Sequence, residues 1–266
     1  MSDQAAATGT DTGTGAPTQA STGPSAPRKA LAGLYRLSRQ HSLELFILVA
    51  VMLLVSGYLA LIYAPEVDGE NFAAPKSQRI FYFHVPAAWV GLLAFGLVFG
   101  FSMTYMKTRD RVWDQLAYAS AEVGALFCTL AIATGPIWAK AEWGIYWNDD
   151  PKLTVTLILW LTYIGYLIFR NSSDEDDAEL AAILSVFGFI TIPMTFIASR
   201  WIESQHPNVV ASEGGGLEGP MVLALVFTVF TFTLLFYYLL IKRFSLLRLT
   251  ERLEQLKLSV GGMLDG

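Results

Sequence analysis

From Leu43 onward, long apolar runs alternate with short polar connections. A helix needs about 20 apolar residues to cross the hydrocarbon core of a bilayer. Six runs qualify: residues 43–63, 80–106, 115–137, 153–169, 178–197 and 220–241. Lipid offers no partners to unpaired backbone groups, so each run is predicted to be a helix. The fold expected is an all-α integral membrane protein, a bundle of six transmembrane helices.

The pattern changes at both ends. After the last run, Leu246, Leu249, Leu253 and Leu256 recur at i, i+3, i+7 and i+10. That single stripe predicts a C-terminal amphipathic helix over 242–266, on the inner membrane surface or against a partner. A plain helical extension into solvent is the equal alternative. Residues 1–27 are mostly Ala, Thr, Gly, Ser and Pro. They are expected to form a disordered tail, being too poor in apolar bulk to offset ordering entropy. The tail resembles neither a signal peptide nor a transit peptide. The six-span domain then covers 28–241.

Composition agrees with a membrane protein. Hydrophobic residues make up 53% and charged residues 15% of the 266-residue chain. Soluble domains carry about 25% charged residues. The mean hydropathy is +0.44. A formal net charge of -5 argues against nucleic-acid binding. The lone Cys128 leaves no disulfide framework and no CxxC pair.

Lys and Arg set the orientation. Of the 18, one set of flanks holds 13, including Arg28, Lys107, Arg170 and Arg243. The other set holds Lys76, Arg79, Lys140, Lys152 and Arg200. The richer side is expected to be cytoplasmic, with both termini there. The connections after the first, third and fifth spans then face outward. His84, the aromatic segment 141–154 and His206 fall on that one face, although they are far apart in sequence.

Segment 141–154, AEWGIYWNDDPKLT, packs two tryptophans, a tyrosine and two aspartates between two apolar runs. Trp143, Tyr146 and Trp147 form an outer-face tryptophan-rich loop able to hold a flat, amphipathic ligand. Aromatic anchoring at the membrane interface is the alternative. Asp150, just before Pro151, also reads as a helix N-cap. His84 shares a helical face with Ala87, Ala88 and Gly91. Those small residues leave room for a ligand or seat a neighbouring helix. Pro86 is expected in the first helical turn. His206, in the turn-prone HPN sequence, reads by itself as an ordinary loop histidine. Glu122 is a carboxylate within a span, expected to be paired with a basic flank such as Arg109 or Arg111, or to serve transport. No P-loop, HExxH, nucleophile elbow or zinc spacing appears, so no enzyme signature stands out.

These residues resemble a known family. WGxxWxxDxxLT, satisfied by Trp143, Gly144, Trp147, Asp150, Leu153 and Thr154, is similar to the tryptophan-rich segment of heme exporter protein C, the cytochrome c maturation protein C family. RIFYFHVPAAW around His84 and TGPIWAKAEWG from Thr134 resemble its flanking motifs. The resemblance spans about residues 43–241. Tyr146 and Asp149 stand where the family often has Trp. Around His206, Trp201 keeps the expected spacing, whereas Ile202, Glu203 and Gln205 depart from the pattern.

The resemblance implies His84 and His206 as axial ligands to the iron of a haem b, bound non-covalently. Trp143, Gly144, Tyr146, Trp147 and Asp150 would form the platform, and no catalytic residue is implied. Neutral imidazole is a normal iron ligand, and tryptophan offers a broad stacking face. Lys140, Lys152 and Arg200 could meet haem propionates, with snorkelling as the alternative. The function implied is presentation of haem at the extracytoplasmic face of the cell (inner) membrane. The partners implied are a haem chaperone of the cytochrome c maturation protein E type and ABC transporter subunits. A cytochrome c haem lyase and a b-type or structural subunit remain the alternatives.

Overall fold

The computed structural model describes residues 26–67, 72–172, 177–201, 206 and 217–264. The expected tail 1–27 lies almost wholly outside them. The described residues are helical throughout, with α1 Ala26–Gln40, α2 Ser42–Tyr58, α3 Phe81–Thr108, α4 Arg111–Trp143, α5 Pro151–Ser172, α6 Ala178–Phe189, α7 Thr191–Trp201 and α8 Gly219–Leu264. Six segments are long and apolar enough to cross a membrane, in the expected order. Residues 1–40 and 41–266 are separate compact units. Helix α1, in the first, was not foreseen from the sequence.

Local chemistry explains how the spans depart from ideal helices. The first span ends in a π-helix, Leu59–Tyr63, closed by the Ala64 N–H donating to the Leu59 carbonyl at 2.9 Å. The guanidinium of Arg79 donates to the freed carbonyls of Ala60, at 3.1 Å, and Leu61. The fifth span is interrupted between α6 and α7. Pro193 lacks an N–H, and its ring collides with the carbonyl four residues earlier, that of Phe189, where α6 stops. Before α3, residues Pro75–Ile80 wind as a 3₁₀ helix. Pro86 therefore sits inside α3 rather than in its first turn as expected.

Helices α3 and α4 form the spine. Their two-residue link uses Arg109 in the left-handed region, φ 55°, and Asp110 as N-cap, accepting from the Val112 N–H at 3.2 Å. They approach closely because small residues face each other. A Cβ on Gly124 would lie 2.7 Å from the Ala94 Cβ, and one on Gly91 would lie 3.3 Å from the Cys128 Cβ. At Gly91 the small face of α3 seats α4, while His84 on the same face lines a cleft. Across the core, Phe95 stacks on Tyr163 of α5, with ring centres 3.7 Å apart and planes 7° from parallel.

Charge within the bundle is paired. Arg243 of α8 donates to both oxygens of Glu122, at 2.5 and 2.7 Å. The partner of Glu122 is thus not Arg109 or Arg111. Arg109 instead pairs with Glu179 at 2.6 Å. Arg170 of α5 meets Asp114 of α4 at 2.9 Å, with side chains only 15% and 7% exposed. The Tyr118 ring lies 5.3 Å from the Arg170 guanidinium and 5.8 Å from that of Arg243. These contacts lock α4, α5 and α8 together at the end of α4 opposite Trp143.

Helix α8 has 46 residues. At 1.5 Å per residue it is about 70 Å long, more than twice the thickness of a hydrocarbon core. Its last turns carry the predicted stripe, and Leu246, Leu249, Leu253 and Leu256 are all exposed. The segment after residue 241 continues the sixth span as one helix to Leu264.

Candidate functional site

The 3₁₀ turn before α3, the last turns of α4 and the first turn of α5 converge at one end of the bundle. Glu142 helps to hold them there. Its two carboxylate oxygens accept the backbone N–H groups of Ala73 and Ala74, at 2.9 and 3.0 Å. The polypeptide leading into α3 is thereby fastened to the end of α4.

His84 rests on Thr134 and Gly135 of α4. Its Nδ1 lies 3.0 Å from the Thr134 Oγ1. The Thr134 hydroxyl donates to the Leu130 carbonyl at 2.8 Å and lies 3.2 Å from that of Ala131. A hydroxyl has one hydrogen, and here a helix carbonyl takes it. The Thr134 oxygen therefore accepts from His84 Nδ1–H, and Nε2 keeps its lone pair. Gly135 provides clearance, since a Cβ there would lie 3.3 Å from His84 Cε1.

The His206 ring faces that of His84 with centres 6.3 Å apart and planes inclined by 35°. Two imidazoles that share one metal ion, each with nitrogen about 2.0–2.1 Å from it, place their ring centres about 6 Å apart. The separation therefore suits a single ion. Among the described residues no group of three His, Cys, Asp or Glu could hold a metal. The pair suits an ion that brings its other ligands with it. His206 Nδ1 lies 3.2 Å from Lys152 Nζ.

Both histidines line one cleft of about 560 Å³, part of it open to solvent, whose walls include Phe81, Trp138, Trp143 and Leu153. Trp138 and Trp143 meet edge to face at 5.2 Å. The Trp138 indole N–H is buried without a partner among the described residues. An orphaned donor in a cleft wall is costly unless a ligand supplies the acceptor.

The predicted residues divide into two groups. His84, Trp143 and His206 come together in the cleft. Gly144, Tyr146, Trp147 and Asp150 are not among its walls. Gly144 ends α4 in the left-handed region, φ 77°, which glycine adopts without strain. Its carbonyl accepts from Lys140 Nζ at 2.7 Å. Asp150 caps α5, accepting the Lys152 N–H at 2.9 Å. Tyr146 and Trp147 are exposed beside the cleft, at 63% and 38%. Residues 202–205 lie outside the described part, and the side chains of Arg200 and Trp201 are likewise not described. Thr134 and Trp138 belong to the segment TGPIWAKAEWG, and the sequence singles out neither as a site residue. Their spacing from Trp143, about one and a half to two and a half turns up the same helix, was the available signal.

A six-span helical bundle with a two-histidine, tryptophan-walled cleft at one end defines a multi-pass membrane protein. The chain matches the family model for heme exporter protein C over residues 29–259, and it belongs to that family. It is 30% identical to heme exporter protein C of Bradyrhizobium diazoefficiens over 179 residues, 66% of this chain and 68% of that one. It is also 30% identical to the Haemophilus influenzae protein of the same name over 226 residues, 82% of this chain and 88% of that one. A ccmC-like mitochondrial protein of cytochrome c biosynthesis from Marchantia polymorpha is 31% identical over 186 residues, 69% of this chain and 78% of that one.

Proposed function

We propose that the chain binds haem b non-covalently between His84 and His206, presents it at the extracytoplasmic face of the cell membrane, and delivers it to a haem chaperone. The family supports the broader role, haem handling for cytochrome c maturation by a delivery component rather than an enzyme. The observation that carries the ligand assignment is the 6.3 Å separation of the two imidazoles, with His84 Nδ1 engaged by Thr134. A porphyrin supplies four equatorial ligands, which leaves two axial positions for these rings. Cys128 is buried and the chain has no CxxCH motif, which favours a non-covalent hold.

Trp138 and Trp143 offer faces and edges for the macrocycle, while Lys140 is committed to the Gly144 carbonyl. Ile145, Tyr146 and Trp147 form an exposed apolar patch beside the cleft, suited to an acceptor protein that takes the cargo. The excess of Lys and Arg favours cytoplasmic termini and an outward-facing cleft. Family membership implies a complex with the other components of the exporter, and ABC transporter subunits are the partners we assign.

The test is the visible spectrum of the full chain extracted in detergent and loaded with haem. The unmodified protein is expected to show a sharp, six-coordinate spectrum. His84→Ala and His206→Ala should each lose one axial ligand and retain haem less well. Spectra unaltered in both variants would refute bis-histidine ligation.

A further inference from the structure

Resting on the haem reading, the two imidazoles are not equivalent. His84 is held through Nδ1–H by a neutral oxygen, so its Nε2 lone pair is available. His206 faces Lys152, whose ammonium lies 3.2 Å from Nδ1. An ammonium can only donate, so it occupies the Nδ1 lone pair, and a neutral imidazole then carries its hydrogen on Nε2. In this arrangement His206 offers no lone pair to a metal.

We propose that Lys152 is a latch on His206, released by the carboxylate of an incoming porphyrin. Lys152 occupies the second position of α5, beside the cleft-lining Leu153. No acidic side chain is among the described residues lining the cleft. Asp150 accepts the backbone N–H of Lys152 at the α5 terminus, and its charge also reaches the Lys152 ammonium, so an entering carboxylate adds a second anion to one already near. A propionate entering this largely apolar cleft presents a full negative charge to an ammonium held by a neutral ring. Charge-assisted pairing is stronger than a bond to a neutral acceptor, so Lys152 moves to the propionate. His206 can then shift its hydrogen to Nδ1 and ligate through Nε2.

His84 is thus the standing ligand and His206 the conditional one. Binding of the second ligand reports that a carboxylate-bearing porphyrin has arrived. Return of Lys152 to His206 as the carboxylates leave loosens the cargo for hand-off. Lys152 acts through His206 and is a positioning residue.

The test uses the full chain in lipid nanodiscs with ferric haem and with its dimethyl ester, in which both carboxylates are blocked. The unmodified protein should be six-coordinate and low-spin with haem. With the ester it should be largely five-coordinate, held by His84. Lys152→Met, which has no ammonium, should be six-coordinate with both. Its transfer of the ester to apomyoglobin should be about tenfold slower than from the unmodified chain, the factor expected for one competing charge-assisted hydrogen bond. A six-coordinate ester complex in the unmodified chain overturns the latch and needs no variant to fold. Equal ester spectra and transfer rates in Lys152→Met and the unmodified chain overturn it too. If the His84→Ala and His206→Ala haem spectra are also unaltered, haem ligation itself fails and takes the latch with it. If those two spectra change while Lys152→Met and the ester do not, only the latch fails.

Discussion

Thr134 accepts the Nδ1 hydrogen of His84 at 3.0 Å while giving its own hydrogen to the Leu130 carbonyl. One hydroxyl thereby fixes both the orientation and the tautomer of the imidazole. Partners of this kind, one bond removed from a metal, typically change metal affinity by about 10–100-fold. Thr134→Val, similar in shape but without the hydroxyl, should weaken haem retention within that range. Thr134→Ser should restore most of it. Haem transfer to apomyoglobin measures the effect, and equal rates in the Val and Ser variants would contradict the tautomer argument.

Trp138 separates binding from stability. Its buried indole N–H lacks a partner among the described residues. Trp138→Phe keeps an aromatic wall and removes the orphaned donor. Thermal stability of the haem-free protein should hold or rise slightly, because an unsatisfied buried group is costly. Haem retention should fall, because Trp138 lines the cleft. A parallel loss of both would point to packing alone.

The ion pairs are expected to differ in worth according to burial. Asp114–Arg170 is nearly enclosed, whereas Arg109 and Glu179 are 55% and 52% exposed. Breaking an enclosed pair leaves an uncompensated charge and costs about 3–5 kcal/mol. Asp114→Ala should therefore lower the Tm in detergent substantially. Adding Arg170→Met should recover much of the loss. Glu179→Gln should shift the Tm little, because the pair is exposed and screened by solvent. Similar Tm shifts for Asp114→Ala and Glu179→Gln would contradict this ranking.

Gly124 tests the spine. A Cβ there would meet Ala94 Cβ at 2.7 Å, closer than real side chains approach. Gly124→Ala must push α3 from α4 and should destabilise by about 1–3 kcal/mol. Gly96→Ala, with no atom within 4 Å of the added carbon, should be neutral or slightly stabilising. Thermal unfolding of the two variants side by side gives the comparison.

The six spans were legible because lipid imposes one solution on a long apolar run, a helix that satisfies its own backbone. Asp150 as an N-cap was legible for a similar reason, since it depends on neighbours in sequence. Interruptions of the spans were harder to read. The break after Phe189 required attention to the ring of Pro193 rather than to hydropathy. The 3₁₀ turn that moved Pro86 into the helix depends on where the preceding connection is tied down, by Glu142 and Arg79.

By itself, the order of apolar and polar residues determined a six-span helical protein and put His84, the aromatic segment and His206 on one expected face; the resemblance carried by the WGxxWxxDxxLT segment made them candidate site residues. Only the tertiary structure decided that Thr134 holds His84, that Lys152 faces His206, and that Arg243 neutralises Glu122. It also placed Tyr146 and Trp147 beside the cleft rather than in its walls. The reason is physical: burial of apolar length is a property of each segment. A hydrogen bond or ion pair between helices depends on their rotation and axial offset, which are set by packing contacts such as Gly124 against Ala94.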